Sequence, residues 1–369
     1  MKSGWWDLAP ADAEAAVGAW VTAQAEPSYR VRQILPRLWT RPVASWDDVT
    51  DVPRHLVAAL TREHPVPRPT LAARQQSRDG TVKYLWRFAD GAAVESVLIP
   101  EGRRRTLCIS SQSGCAFACA FCATGRMGFG RHLAPGEIVA QVRELLLEPA
   151  APRPTNIVFM GMGEPLHNWD AVDAALSILN DARGLGVGAR HITVSTVGLI
   201  PGLERLARRP EQFRVAWSLH SPFHDRRLAV MPVERKYPLA DVATALRAFP
   251  RRVTIEYVMI AGWNDRTADI GELAGVARGL GAHVNLLPLH PGGAPGLSPT
   301  SADDIGRFAA ALRRAGVQVT VRRSRGLDID AACGQLRVAL ERGRRVPSQQ
   351  NGDVEEEIGI RLEDDPARA

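Results

Sequence analysis

The chain has 369 residues, 45% of them hydrophobic, and a formal net charge of +6. That is enough to bury one large or two modest cores. No stretch of roughly 18 consecutive apolar residues occurs, which excludes a membrane-spanning helix. The N-terminus, MKSGWWDLAPADAEA, turns acidic where a signal peptide would be apolar, so the chain reads as cytoplasmic. Five cysteines, most of them at ligand spacing, fit a reducing compartment and not a disulfide scaffold.

The charge is unevenly spread. From Asp353 to Ala369 there are seven acids and two arginines, so the rest of the chain carries +11. Lysine occurs only at positions 2, 83 and 236, so nearly all of the positive charge is guanidinium. Guanidinium suits bidentate phosphate contacts and stacking on bases, which points to RNA, although solvated arginine faces would give the same count.

In chain order, residues 1–75 read as a small helical domain, with apolar positions at helical spacing in ADAEAAVGAWVTAQA and YRVRQILPRLW. Residues 76–105 follow as a linker built on a β-hairpin: TVKYLWRFADGAAVESVLIP has two alternating runs around Asp90-Gly91. Residues 106–341 alternate strand and helix. RTLCISS is the first strand; NIVFMGMG, HITVSTVG, FRVAWSLH, RVTIEYVMI, HVNLLPL and VQVTVR follow, separated by segments such as PGEIVAQVRELLL and SADDIGRFAAALRRAG. This alternation predicts an α/β fold with a parallel sheet and outer helices, whose ligand site lies at the carboxyl ends of the strands. Residues 342–369 lack an apolar face and read as a disordered tail.

Chemistry concentrates in CISSQSGCAFACAFCATGRMGFG, residues 108–130. Cys115, Cys119 and Cys122 have the spacing C-x3-C-x2-C. Three thiolates so close can hold three corners of an iron–sulfur cubane and leave the fourth iron open. Phe121 would shield it from water. A structural zinc knuckle is the alternative, but the nearest further ligand downstream, His132, is ten residues on.

This motif, with its flanks CISSQSGC and FCATGRMGFGRHL, resembles the RlmN/Cfr family of radical S-adenosylmethionine (SAM) RNA methyltransferases. The resemblance implies a partial (β/α)6 radical SAM barrel with a small N-terminal helical accessory domain and an extra β-hairpin. It implies one 4Fe–4S cluster on Cys115, Cys119 and Cys122, and two SAM molecules per turnover. Gly163 and Glu164, in GMGEP, would hold the amino group of SAM; Ser195, in VSTVG, and Ser218-Leu219-His220, in WSLH, its carboxylate and ribose. His290, in LLPLHP, stands where both branches of the family carry asparagine, and would contact SAM through an imidazole in place of the amide.

Cys333, in GLDIDAACGQL, resembles the cysteine that becomes methylated, and Cys108 the second catalytic thiol, which closes a disulfide with Cys333 after the carbon is delivered. Glu95, in VESVLIP, would be the acid/base for the adenine proton, or else a solvated edge charge. The implied substrate is an adenosine of 23S rRNA, with tRNA as a further candidate, and the reductant a flavodoxin or ferredoxin. Arginines 103–105, 126, 131 and 322–325 could track the RNA backbone, and EPSYRVRQIL resembles the accessory segment that grips it. Carbon 2 of adenine, the RlmN reaction, is favoured; carbon 8, the Cfr reaction, is the alternative. More distant readings are a radical SAM enzyme on a small molecule or peptide, and a non-catalytic RNA-binding module with a structural metal.

Overall fold

The computed structural model describes residues 4–148, 151–290, 294, 296–332 and 334–336. Cys333 and the acidic tail lie outside the described residues.

Helix α1 (Pro10–Ala23) opens on a proline whose fixed φ suits the first helical turn. A short helical turn, α2 (Val31–Ile34), and α3 (Arg54–Glu63) complete the N-terminal region. Trp5, Trp6, Trp20, Trp39 and Trp46 are all buried there. Two of the indoles are tied down: Trp20 Nε1 donates to Glu63 at 2.8 Å, and Trp46 Nε1 to the His64 carbonyl at 2.6 Å. This core is continuous with that of the rest of the chain.

Strand β1 (Thr70–Gln76) precedes the hairpin β2 (Val82–Arg87) and β3 (Ala93–Glu101), which turns at Gly91 with φ +87°. The helical reading of the first 75 residues did not contain β1. Every residue of β1 is exposed, so it offers no period-2 alternation to detect. Next come β4 (Arg104–Cys108), β5 (Gln112–Gly114), the one-turn α4 (Ala123–Arg126) and β6 (Phe129–His132). Thereafter helices and strands alternate: α5 (Pro135–Leu147), β7 (Asn156–Phe159), α6 (Trp169–Asn180), β8 (Ile192–Thr196), α7 (Ile200–Arg208) and β9 (Arg214–Ser218). Then follow α8 (His224–Val230), α9 (Leu239–Arg247), β10 (Val253–Met259), α10 (Thr267–Leu280), β11 (His283–Pro288), α11 (Ala302–Arg314) and β12 (Val319–Val321).

The main sheet has the order β1-β2-β3-β4-β7-β8-β9-β10-β11-β12. The joins from β1 to β4 are antiparallel, and all joins from β4 onward are parallel. The hairpin is therefore an extension of the barrel sheet itself. The sheet curls enough that Arg104 on β4 feels the charge of Arg322, just past β12. β5 and β6 form a separate antiparallel pair that brackets the cysteine loop.

Register divides the parallel sheet into two unlike faces. Ile157, Ile192, Val194, Val215, Trp217, Ile255, Tyr257, Val284 and Leu286 lie on one face, all fully buried. Cys108, Thr193, Ser195, Ser218, Thr254, Glu256, His283 and Asn285 lie on the other. The apolar face takes the helices, as burial of branched side chains requires, and leaves the polar face to line the barrel. No described helix is long and apolar enough to cross a membrane.

Candidate active site

The cysteine loop is held by backbone geometry that only some residues allow. Gly114 has φ +79°, and a Cβ there would sit 2.0 Å from the Gly128 carbonyl oxygen. Ala118, between Cys115 and Cys119, is itself in the left-handed region at φ +46°. The loop is pinned by Cys115 N–H to Gly128 O at 2.9 Å, Ala120 N–H to Val230 O at 2.9 Å, and Ala123 N–H to Gly334 O at 2.8 Å. Cys122 stands just before α4. Burial pushes the Cys119 thiol well up, and the neighbouring Cys115 and Cys122 push it further. Cys115 is raised by burial, then by Cys122 and Glu164. Cys115 and Cys119 thus sit desolvated, and as anions the thiols of this loop would repel one another.

The loop after β7 lies against the chain that continues β4. Met162 N–H donates to Ser110 Oγ at 2.8 Å, and the Met162 carbonyl accepts from Ser111 at 2.9 Å. Gly163 has φ +98°, and a Cβ there would meet Gln112 at 2.5 Å. Glu164 is buried; its carboxylate accepts from Leu166 N–H at 3.0 Å and Val197 N–H at 2.9 Å. Burial lifts its pKa to about 7, against the pull of those N–H groups and of Thr196. Gln112 braces the loop: its Oε1 accepts from Glu164 N–H at 2.8 Å, and its Nε2 lies 3.0 Å from His132 Nδ1 and 3.1 Å from His167 Nδ1.

Ser195 and Ser218 sit half-buried on the polar face at the ends of β8 and β9, with Leu219 and His220 buried beyond. His220 adopts φ +56° and its Nδ1 accepts from Val258 N–H at 3.0 Å, which leaves the ring proton on Nε2. Burial, then the charge of Arg227, lowers its pKa to about 3. Its ring meets Phe121 edge-on at 4.5 Å, linking strand end to cysteine loop. Fully buried Arg227 ties the same ends together, donating to the carbonyls of Val197 at 2.7 Å and Leu219 at 3.1 Å, and pairing with Glu234.

Glu95 is buried, which removes the solvated-edge reading. Its Oε1 lies 3.4 Å from Lys83 Nζ, and Lys83 also donates to the Asp330 carbonyl at 3.3 Å. Register aligns Lys83 with Val97 and Val97 with Cys108, so Lys83, Glu95 and Cys108 share one face of adjacent strands. The segment flanking position 333 lies against the cysteine loop: Gly334 O accepts from Ala123, Leu336 O accepts from Thr124 Oγ1 at 2.7 Å, and Ala332 is buried. His290 is half-buried, with Nε2 2.7 Å from Ser324 Oγ, so one ring nitrogen is already engaged.

Residues 109–274 match the model of the radical SAM superfamily. A probable dual-specificity RNA methyltransferase RlmN from Gemmatimonas aurantiaca is 55% identical over 94% of this chain and 97% of its own. The protein so named from Synechococcus elongatus is 46% identical, covering 86% of this chain and 90% of its own. The crystal structure of a radical SAM methyltransferase from Sphaerobacter thermophilus superposes with a TM-score of 0.85 at 44% identity, over 90% of this chain and 99% of that one. The chain belongs to the RlmN family.

Membership of a radical SAM family implies a 4Fe–4S cluster and SAM, and the cysteine loop fits them. Thiols that repel one another in a desolvated pocket are unfavourable as bare anions, and bound iron supplies the missing positive charge. Among the described residues, no three His, Cys, Asp or Glu side chains converge as a single metal ion requires, whereas the thiolates of a cubane sit on separate irons. Sequence reasoning missed Lys83, Arg227 and Gln112 as parts of this site. Only Lys83 carried a signal: one of three lysines in a chain whose other cations are arginines.

Proposed function

We propose that this protein is an RNA methyltransferase that places a methyl group on an adenosine of 23S rRNA at carbon 2. The observation that carries the reading is the meeting of three sequence-distant parts. Cys108 and Glu95 share the polar face, and the residues on either side of position 333 lie against the Cys115–Cys122 loop.

In this reading Cys115, Cys119 and Cys122 hold the cluster. Bound there with SAM, it supplies the electron that cleaves SAM and starts radical chemistry at an unactivated carbon. Gly163 lets backbone approach the amino group of SAM, and Glu164 receives it; a bound ammonium favours the ionised carboxylate that burial opposes. Ser195, Ser218, Leu219 and neutral His220 orient the carboxylate and ribose, and the Phe121–His220 contact excludes water. Cys333 carries the methyl carbon. Cys108 attacks its sulfur to release the product, leaving a disulfide that a reductant reopens. Glu95 handles the adenine proton, and the neighbouring Lys83 ammonium orients its carboxylate in a buried position. A flavodoxin or ferredoxin serves as electron donor. The N-terminal helical region and the arginine runs grip the RNA while the target base is splayed out.

The Gemmatimonas and Synechococcus relatives carry the RlmN name, which favours carbon 2 over the Cfr reaction at carbon 8. Their dual specificity agrees with tRNA as a second substrate. The test is anaerobic turnover of the reconstituted protein with SAM, a reductant and 23S rRNA, followed by mass spectrometry. The expected products are 5′-deoxyadenosine and 2-methyladenosine. Exclusive 8-methyladenosine would move the protein to the Cfr reaction, and neither product would defeat the reading.

A further inference from the structure

Four strands carry a polar row that none of the roles above uses beyond Ser218. The parallel register sets Ser218, Glu256, Asn285 and Thr320 side by side across β9, β10, β11 and β12 on the polar face. Glu256 and Asn285 are only 6% and 4% exposed. A carboxylate so placed must have its desolvation offset by fixed partners. Asn285 Nδ2 donates to Glu256 Oε1 at 2.8 Å, and on the same face of β11 His283 Nε2 lies 2.9 Å from Thr320 Oγ1. The Asn285 amide fixes the carboxylate yet takes only one of its roughly four acceptor positions. Burial pushes this carboxyl above the usual carboxylate range, against the pull of the Asn285 amide and the charge of Arg322, and its remaining acceptor positions suit O–H donors. Two hydrogen bonds join β10 to the nucleoside-facing triplet: Leu219 N–H donates to the Glu256 carbonyl at 3.2 Å, and Val258 N–H to His220 Nδ1 at 3.0 Å.

We infer that Glu256 is a ribose-binding residue whose carboxylate accepts the hydroxyls of the SAM nucleoside, with Asn285 as its positioning residue. Two vicinal hydroxyls present paired donors that a carboxylate can receive together, the chemistry by which an acidic residue reads a ribose in dinucleotide folds. The inference rests on the SAM site proposed above.

The test uses the anaerobically reconstituted holoprotein and measures dissociation constants for SAM, for its 2′-deoxy and 3′-deoxy analogues, and for methionine. The wild type should bind at least one deoxy analogue roughly tenfold or more weakly than SAM, the expected worth of a hydrogen bond to a charged group. Glu256→Gln should narrow that ratio to under about threefold, because the lost acceptor no longer distinguishes the ligands, with methionine binding unchanged. Should the Gln variant not fold, Asn285→Ala keeps the carboxylate but unlatches it, and the ratio should again fall. Undiminished discrimination in the variant overturns the inference alone, as does an equal weakening of all ligands including methionine. Failure of the wild type to bind SAM would defeat the underlying site as well.

Discussion

The two faces of the parallel sheet are built from alternate residues of the same strands, yet they obey different rules. On β9, Val215 and Trp217 point into the helix layer and are fully buried, while Ser218 ends the strand on the polar side. On β10, Ile255 and Tyr257 are buried among helices while Glu256 between them joins the polar row. The apolar face is where burial supplies stability, and the polar face is where desolvated groups are held at a cost for chemistry. Substitutions on the two faces should therefore fail in different ways.

The largest effects belong to the polar side. Cys119→Ala should abolish the iron–sulfur absorption and all turnover while changing thermal stability of the cluster-free protein little; an intact cluster spectrum would break the comparison there. Glu95→Gln should lower kcat by about 10²–10⁴ with SAM affinity retained, as expected for loss of an acid/base group. On the helix side, Trp217→Ala should cost about 3–5 kcal/mol in chemical denaturation, the ordinary penalty for emptying a large core site. A destabilisation below about 1 kcal/mol would show that the apolar face does not carry the fold.

His220 sharpens the contrast, because a chemical group here is also a stability term. Its folded pKa, lowered to about 3, lies below the unfolded value near 6.5, so the unfolded chain binds the extra proton between those limits. Stability should fall as pH drops through that window, by up to roughly 1.4 kcal/mol per pH unit, and His220→Gln should flatten that part of the curve. The smallest effect is expected at His290, already engaged by Ser324. His290→Asn should change SAM affinity by no more than about tenfold, and an unchanged value would remove the position from the site.

Much of this division was legible in the sequence. Alternating apolar runs gave the parallel strands, because β-branched residues recur wherever helices cover the sheet. The strand-end motifs GMGEP, VSTVG and WSLH gave the polar side, because special backbone and polar atoms stand out against apolar strands. Short or exposed elements escaped: β5 and β6 span three and four residues without alternation, and β1 buries nothing. For Glu95, alternation gives the face but not the exposure. Residues 93–98 are all buried because β3 is an interior strand covered on both sides. Arg227 could not be read at all, since its role is to gather carbonyls from two strands that only the fold brings together.

The central claim is that Cys108 and Cys333 act together on one carbon, despite their distance in sequence. Cys108→Ala, incubated anaerobically with SAM, reductant and 23S rRNA, tests it most directly, with proteolytic mapping of any RNA adduct. The account predicts RNA covalently trapped on Cys333 and no released methyladenosine. Normal release of product by this variant, with no adduct, would contradict it.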